Sequence, residues 1–379
     1  MKTSLLFVIT QLYRGGAETA LINLLSALSS ERYEADLLVL NMPNATNALL
    51  DQVPAWVRLC DAGAENQPKR LQLSTQEFLL GGEVARAFVR DKVYDFAFSY
   101  GEWCSPDWVA NYVQVRCKCV WIHTDITAAP SFQPRTFFDT FYTYAWYIFV
   151  SEGTRQRAVK RYPFLRHKSV VLHNCLDRAA LLKLAQEPRE APAFPTHGVK
   201  LITVANVRAE KGYQRMVDTA RLLAEHGLDF TWLCIGSTPD ASLLASLREQ
   251  ITAYGLDTSF KLLGFHENPH PYVWQADAFI LLSDYEAWPL AMAEAMLLGI
   301  PPIATDSAGA REHIRHGENG LLCGFEPSEA ACAILSFCTD QALADHLRLG
   351  VAGFQGSKSA LQEFDAFINQ LNRRKGVEQ

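Results

Sequence analysis

The stretch 283–299, SDYEAWPLAMAEAMLLG, places two glutamates, Glu286 and Glu294, beside and inside a run that otherwise has the apolar content of a buried helix. A carboxylate in such a run is costly unless a partner meets it with hydrogen bonds. Pro289 fits the first position of a helix and Gly299 its terminator, so Glu286 falls in the preceding loop and Glu294 on the helix itself. A helix N-terminus, here around Trp288, Pro289 and Leu290, offers N–H groups to a phosphate, and two carboxylates can accept hydrogen bonds from sugar hydroxyls. A glutamate bonding backbone amides at a cap accounts for Glu286 but not readily for Glu294.

Three other loops carry candidate chemistry. In VANVRAEKGYQR a strand gives way to Arg208 and Lys211 before Gly212 opens a helix, and cations at such a turn can hold the phosphates of a nucleotide. A solvated surface turn is the plain alternative. In QLYRGGAE the pair Gly15 and Gly16 lets backbone approach a ligand at a helix start, although the G-x-G-x-x-G dinucleotide pattern is absent and the pair can equally be a simple turn. In WIHTDI, His123 ends a strong strand, where an imidazole can serve hydrogen-bond or proton chemistry or be satisfied in an inter-domain wall.

The elements that position these loops alternate strand-like and helix-period segments, the pattern of parallel sheets with crossover helices. The first series of strands is TSLLFVIT, YEADLLVL, YDFAFSY, CKCVWIHT, YIFVS and SVVLHN; the second is KLITVANV, FTWLCIG, FKLLGF, AFILLS and PPIATD. Between them QEPREAPAFPTHGVK reads as a linker. The expected organisation is two doubly wound α/β domains, residues 1–190 and 198–350, followed by an amphipathic helix over 356–375. Ligands of such sheets bind beyond the carboxyl ends of the strands, so two facing domains would share a site in a central cleft.

Composition removes several classes. At 379 residues the chain is long enough for two cores, and 49% hydrophobic with 20% charged residues is a globular balance. A net charge of -6 argues against nucleic acid as the main partner. Nine cysteines without a Cys-x-x-Cys pair suggest neither disulfide framework nor zinc site, and reduced thiols point to a cytoplasmic protein. Cys117 and Cys119 are expected on one face of a strand. MKTSLLFVIT is too short for a signal peptide, and no other run approaches a membrane span.

The ordered set GGAE, WIHTD, FVSE, VLHNCLD, EKG, EAWPLAMAE, EAMLLGIPPIATDSAGAREHI and GENGLL resembles family 4 glycosyltransferases, retaining enzymes of the GT-B fold that use nucleotide sugars. The resemblance implies two Rossmann-like domains, an acceptor-binding one followed by a donor-binding one, facing a central cleft. It further implies that Glu286 contacts the donor sugar, Glu294 the ribose hydroxyls, and Lys211 the leaving diphosphate with the amides of Trp288 to Leu290. Gly16 would lie near the diphosphate and acceptor, with Gly15 and Asn206 also among the donor-binding residues, and His123 would line the donor sugar pocket. Two positions depart from the family: Ala205-Asn206 stands where Gly-Arg is usual, with Arg208 as a substitute, and Ala287-Trp288 follows the first glutamate where glycine is usual.

No Asp-x-Asp is present to hold a divalent metal, so a metal-independent reaction is expected, with a UDP-sugar favoured over a GDP-sugar. The acceptor would be a glycan or a lipid-linked saccharide, as in bacterial surface polysaccharide synthesis. Aromatics between 103 and 149 (Trp103, Trp108, Trp121, Phe132, Phe137, Phe138, Tyr142) and the basic run 155–168 either form core and solvated helix face or make peripheral contact with anionic lipid. A sugar-nucleotide 2-epimerase and a non-catalytic GT-B partner subunit are the alternative functions.

Overall fold

The computed structural model describes residues 2–40, 47–62, 83–103, 105–130, 132–188, 194–356 and 359–377. The chain divides into two units, the first formed by Met1–Cys175 with Ser357–Gln379 and the second by Leu176–Gly356. The first holds a seven-stranded sheet of β1 (Thr3–Ile9), β2 (Tyr33–Val39), β3 (Arg58–Asp61), β4 (Tyr94–Tyr100), β5 (Val115–Ile122), β6 (Trp146–Phe149) and β7 (Ser169–Val171), in the order β3-β2-β1-β4-β5-β6-β7. The second holds six strands, β8 (Val199–Val204), β9 (Phe230–Ile235), β10 (Phe260–Gly264), β11 (Ala278–Leu281), β12 (Pro302–Thr305) and β13 (Leu321–Cys323), in the order β10-β9-β8-β11-β12-β13. Pairings are parallel in both sheets.

Strands covered by helices on both faces read as continuous apolar runs rather than alternating ones, and β1 and β9 do so, with Leu5 to Val8 and Trp232 to Ile235 buried. Each sheet reverses its strand order once. The reversal lies between β1 and β4 in the first unit and between β8 and β11 in the second, and loops leaving these strands form the natural ligand-binding crevice of each unit.

Three features differ from the sequence reading. β3 was not expected: RLCD is a four-residue edge strand with no apolar run, and pairing with β2 is what makes it a strand. The junction lies between Cys175 and Leu176, ahead of the Pro-rich stretch, rather than at 190–198. Asp177 starts the helix Arg178–Ala185 by accepting the N–H groups of Ala179 at 2.8 Å and Ala180 at 3.2 Å, and Leu181 and Ala185 then pack with Ile202 and Phe279 of the second unit. The Pro-rich stretch therefore falls within that unit rather than between the two, and its residues 189–193 lie outside the described set.

The C-terminal helix Ala360–Val377 belongs to the first unit. Phe364 is buried with its ring 5.8 Å from Phe98 and 6.3 Å from Trp121, Tyr33 donates to Asp365 at 2.5 Å, and His173 Nδ1 lies 2.9 Å from Glu363. Burial opposes ionisation of Glu363, but hydrogen bonds from His173 and Ser359 outweigh it and hold the carboxyl at about 2.

Candidate functional site

In the second unit, the loop after β8 and the loop after β11 leave adjacent strands and meet. Lys211 Nζ donates to Glu286 Oε1 at 2.7 Å, and Ser283 Oγ donates to the same oxygen at 2.7 Å. The contact depends on close backbone packing. Gly212, at φ +69, occupies the left-handed region, and a Cβ there would fall 2.0 Å from the carbonyl oxygen of Leu282. Arg215, one turn into the helix Tyr213–Glu225, donates to that Leu282 carbonyl, to Asp284 Oδ1 at 2.7 Å and to Phe325 O at 2.6 Å. The N–H of Asp284 donates to Glu210 O at 2.9 Å, and from the loop after β12 the Gly309 N–H donates to Glu286 O at 3.0 Å. Glu286 and Lys211 are therefore fixed by their main chains before any ligand arrives.

Pro289 precedes the helix Leu290–Leu297, no side chain caps that helix, and Gly299 at φ +86 follows its end. Trp288 turns its ring edge-on to His313 at 4.1 Å, while Pro289 and Leu290 are buried. Glu294 does not join Glu286. Its Oε2 lies 3.3 Å from His270 Nε2, and His270 Nδ1 lies 2.9 Å from Asn268 Oδ1. Asn268 in turn donates to Leu184 O at 2.7 Å and to Glu187 at 2.8 Å.

Asn206 Oδ1 accepts the N–H of Ser237 at 3.1 Å, tying the ends of β8 and β9, so its acceptor serves the fold. Arg208 is half-exposed and its guanidinium stands 4.0 Å from Glu210. The loop is rich in carboxylate: burial first, then Glu210, Glu286 and Asp284, push the Tyr285 hydroxyl upward.

In the first unit, Gly15 precedes the helix Gly16–Ala27; a Cβ on Gly15 would crowd Glu18 and Tyr13, whereas one on Gly16 would meet nothing within 4 Å. His123 leaves β5 beside β4, with its ring 4.6 Å from Tyr100 and stacked at 6.3 Å on Trp121. Burial pushes its imidazole down to about 3, so the ring is neutral at working pH. The His123 N–H donates to Glu102 Oε2 at 3.0 Å; Glu102 is buried, and burial raises its carboxyl to about 7 against the pull of backbone hydrogen bonds.

Ser283, Arg215, His270 and Glu102 were not anticipated from sequence. Ser283, His270 and Glu102 each bond a residue that was, and Arg215 braces the loop that carries Glu286, but the spacings of 75 residues from Lys211 to Glu286, 24 from His270 to Glu294 and 21 from Glu102 to His123 give no local signal. Of the expected aromatics, Trp108, Trp121, Phe132 and Phe137 are core, while Trp103 and Tyr142 are exposed. Cys117 and Cys119 lie on one face with their sulfurs 4.0 Å apart. Among the described residues no helix is long and apolar enough to cross a membrane.

Residues 185–350 match the family model for glycosyl transferases group 1. The amylovoran biosynthesis glycosyltransferase AmsK of Erwinia amylovora is 31% identical over 185 residues, which are 45% of this chain and 44% of that protein. The 2-deoxystreptamine N-acetyl-D-glucosaminyltransferase of Niallia circulans is 28% identical over 39% of this chain and 38% of that protein. The chain thus spans less than half the length of these curated relatives. Among solved structures, sucrose-phosphate synthase from Thermosynechococcus elongatus superposes with a TM-score of 0.77 at 17% identity, covering 98% of this chain and 100% of that one. Anabaena HepE in complex with UDP and glucose gives 0.71 at 18% identity, covering 97% and 100%. The two parallel sheets are those of the GT-B glycosyltransferase fold, and residues 185–350, most of them in the second unit, are similar to glycosyl transferases group 1.

Proposed function

We propose that the protein transfers a sugar, with retention and without a metal, from a nucleotide-sugar donor to a saccharide or lipid-linked acceptor in the synthesis of a surface polysaccharide or glycoconjugate. The observation that carries this reading is the Lys211–Glu286 contact at the strand-order reversal of the second unit, beside the uncapped helix that starts at Leu290. In the reaction the bond from the anomeric carbon to the donor phosphate oxygen breaks and its electron pair stays on the diphosphate. The acceptor hydroxyl oxygen bonds to the same face of that carbon, and its proton passes to the departing phosphate oxygen.

Negative charge grows on the diphosphate, so a fixed ammonium and helix amides directed at it lower the barrier. Lys211 supplies the point charge, the amides near Leu290 the dipole, and the half-exposed Arg208 a second cation at the place where Asn206 cannot serve. Glu286 accepts from the donor sugar, Glu294 from the ribose, and His123, with its neutral ring, lines the sugar pocket. Gly16, with open space at its Cα, leaves room for the diphosphate and acceptor near the first helix. A UDP-sugar is the favoured donor; HepE, a neighbour in fold, was solved with UDP and glucose.

A lipid-linked acceptor would involve peripheral membrane contact, for which the exposed Tyr142 and Phe164, linked through Phe141 and flanked by Arg161 and Arg166, are the apolar and basic groups available. Co-sedimentation with anionic vesicles at low salt tests that contact, and no binding would remove it. The central test is a screen of UDP- and GDP-sugars in EDTA, quantifying nucleoside diphosphate release by wild type and Glu294→Ala. Release from one donor, lost in the variant, is expected. Nucleotide binding without release, even with saccharide acceptors supplied, would favour the second reading that Asn206 suggests, a non-catalytic partner subunit.

A further inference from the structure

A buried carboxyl in the first unit has no part in the reaction as described. Glu102 follows Gly101 at the carboxyl end of β4, next to β5 in the sheet. Gly101 sits at φ +137, a conformation that residues with a Cβ rarely adopt, and starts the turn by which the chain leaves β4. Polar groups in the interior hold the turn in place. Ser99 Oγ and Ser105 Oγ, both buried, hydrogen-bond to each other at 2.8 Å, and the hydroxyl that accepts in that pair donates to the Gly101 carbonyl, which lies 3.2 Å from Ser99 Oγ and 3.4 Å from Ser105 Oγ. The Glu102 carboxyl accepts the His123 N–H at 3.0 Å, and backbone hydrogen bonds from Thr124 and from Glu102 itself also reach it.

Burying a carboxyl and two hydroxyls to hold the main chain at His123 and Thr124 is costly for a turn at a strand end. The residue it holds explains the arrangement. The His123 ring is wedged against Tyr100 and Trp121, and its Nε2 is buried yet meets no hydrogen-bond partner among the described residues. A neutral imidazole held by ring packing and by its own main chain is ready to bond a neutral hydroxyl.

We propose that Glu102 is a positioning residue: its carboxyl fixes the backbone of His123 so that the enclosed Nε2 is presented to a sugar hydroxyl. This inference rests on the proposed transfer of a sugar, and it adds a residue that acts only through His123. The contact needs an acceptor oxygen rather than a charge, so an amide in place of the carboxyl retains it.

The test is a double-mutant cycle with Glu102→Ala, His123→Ala and the pair, plus Glu102→Gln, on the donor that supports release. Glu102→Ala should lower kcat roughly 10- to 100-fold with the donor KM within about twofold, since loss of orientation acts on the transition state. Glu102→Gln should recover most of the rate, and Glu102→Ala should cost nothing further once His123 is alanine. Multiplicative losses in the cycle, or a Gln variant as impaired as the Ala variant, would overturn the proposal. Amide exchange of the 120–126 segment is a readout independent of turnover: protection lost in Glu102→Ala and kept in Glu102→Gln is expected, and equal protection in all three proteins would overturn it. Absence of turnover in wild type with every donor would instead count against the transferase reading, leaving exchange to decide whether the latch exists.

Discussion

The two strand-order reversals occupy the same topological place and hold opposite chemistry. At β8 and β11, Lys211, Arg215 and Arg208 interleave with Glu286, Asp284 and Glu210, and hydrogen bonds to main-chain carbonyls fix the loops. At β1, β4 and β5 the corresponding positions hold Tyr100, Trp121 and a neutral His123, with buried Glu102 behind them. A charged crevice that stays partly wet suits a diphosphate, because its cations need no large desolvation before they meet the anion. An aromatic, dehydrated crevice suits a sugar ring, whose C–H faces pack on aromatic rings while its hydroxyls take single hydrogen bonds. One fold run twice thus carries a charged and an aromatic set of loops, and the proposed reading assigns the charged set to the diphosphate and the His123 set to a sugar hydroxyl.

The contrast can be broken most severely at Lys211. Lys211→Ala should reduce nucleoside diphosphate release about 10²- to 10³-fold, in the range for loss of one preorganised donor to a developing anion. It also leaves Glu286 facing the diphosphate without its cation, so nucleotide binding should weaken in parallel. Steady-state assay and calorimetry on the same preparation check both.

Next in size is Gly212→Ala. The added Cβ would meet the Leu282 carbonyl at 2.0 Å in a backbone with φ +69, so a cost on the order of 4 kcal/mol is expected in the second unit. Chemical denaturation should show the second unit losing stability while the first is unchanged. If both units lose stability equally, the two do not unfold as separate bodies.

The sugar end should respond to pH instead. The Glu102 carboxyl is raised from its ordinary 4.5 to about 7, so the folded state holds this proton more tightly than the unfolded chain. Its contribution is complete below about pH 4.5 and is lost as pH rises through 7, on the order of 3 kcal/mol in all. Glu102→Gln should flatten that decline in a series of melts between pH 4.5 and 8.

The smallest effect belongs to Glu363, whose carboxyl is held at about 2. It stabilises the first unit above pH 4.5, and that stability falls away as pH drops toward 2. The group is partly exposed, so water screens the pair and the loss should be about 1 kcal/mol, abolished in Glu363→Gln.

Much of the architecture was legible because its signals are local. Continuous apolar runs such as FTWLCI mark strands buried on both faces, and Pro289 and Gly299 bracket a helix whose start and stop follow from backbone preference alone. What escaped depends on neighbours distant in sequence. RLCD becomes a strand only through β2, and the unit junction is set by where Leu181 and Ala185 pack, not by proline content. At the site, motif residues were legible and the groups that hold them were not. Glu102 sits in YGEWC with nothing nearby to suggest a role, and becomes interpretable only once β4 and β5 are adjacent. An acid following a strand-ending glycine, one strand away from a strand-ending histidine, is the pattern that could have located it.

The second unit's reversal is the proposed site of the diphosphate. Titration calorimetry of UDP into wild type and Lys211→Ala, in EDTA and at matched ionic strength, tests this most directly. Binding by wild type that weakens at least about tenfold in the variant, equivalent to about 1.4 kcal/mol, is the predicted result. Equal affinity for UDP in the two proteins would contradict it.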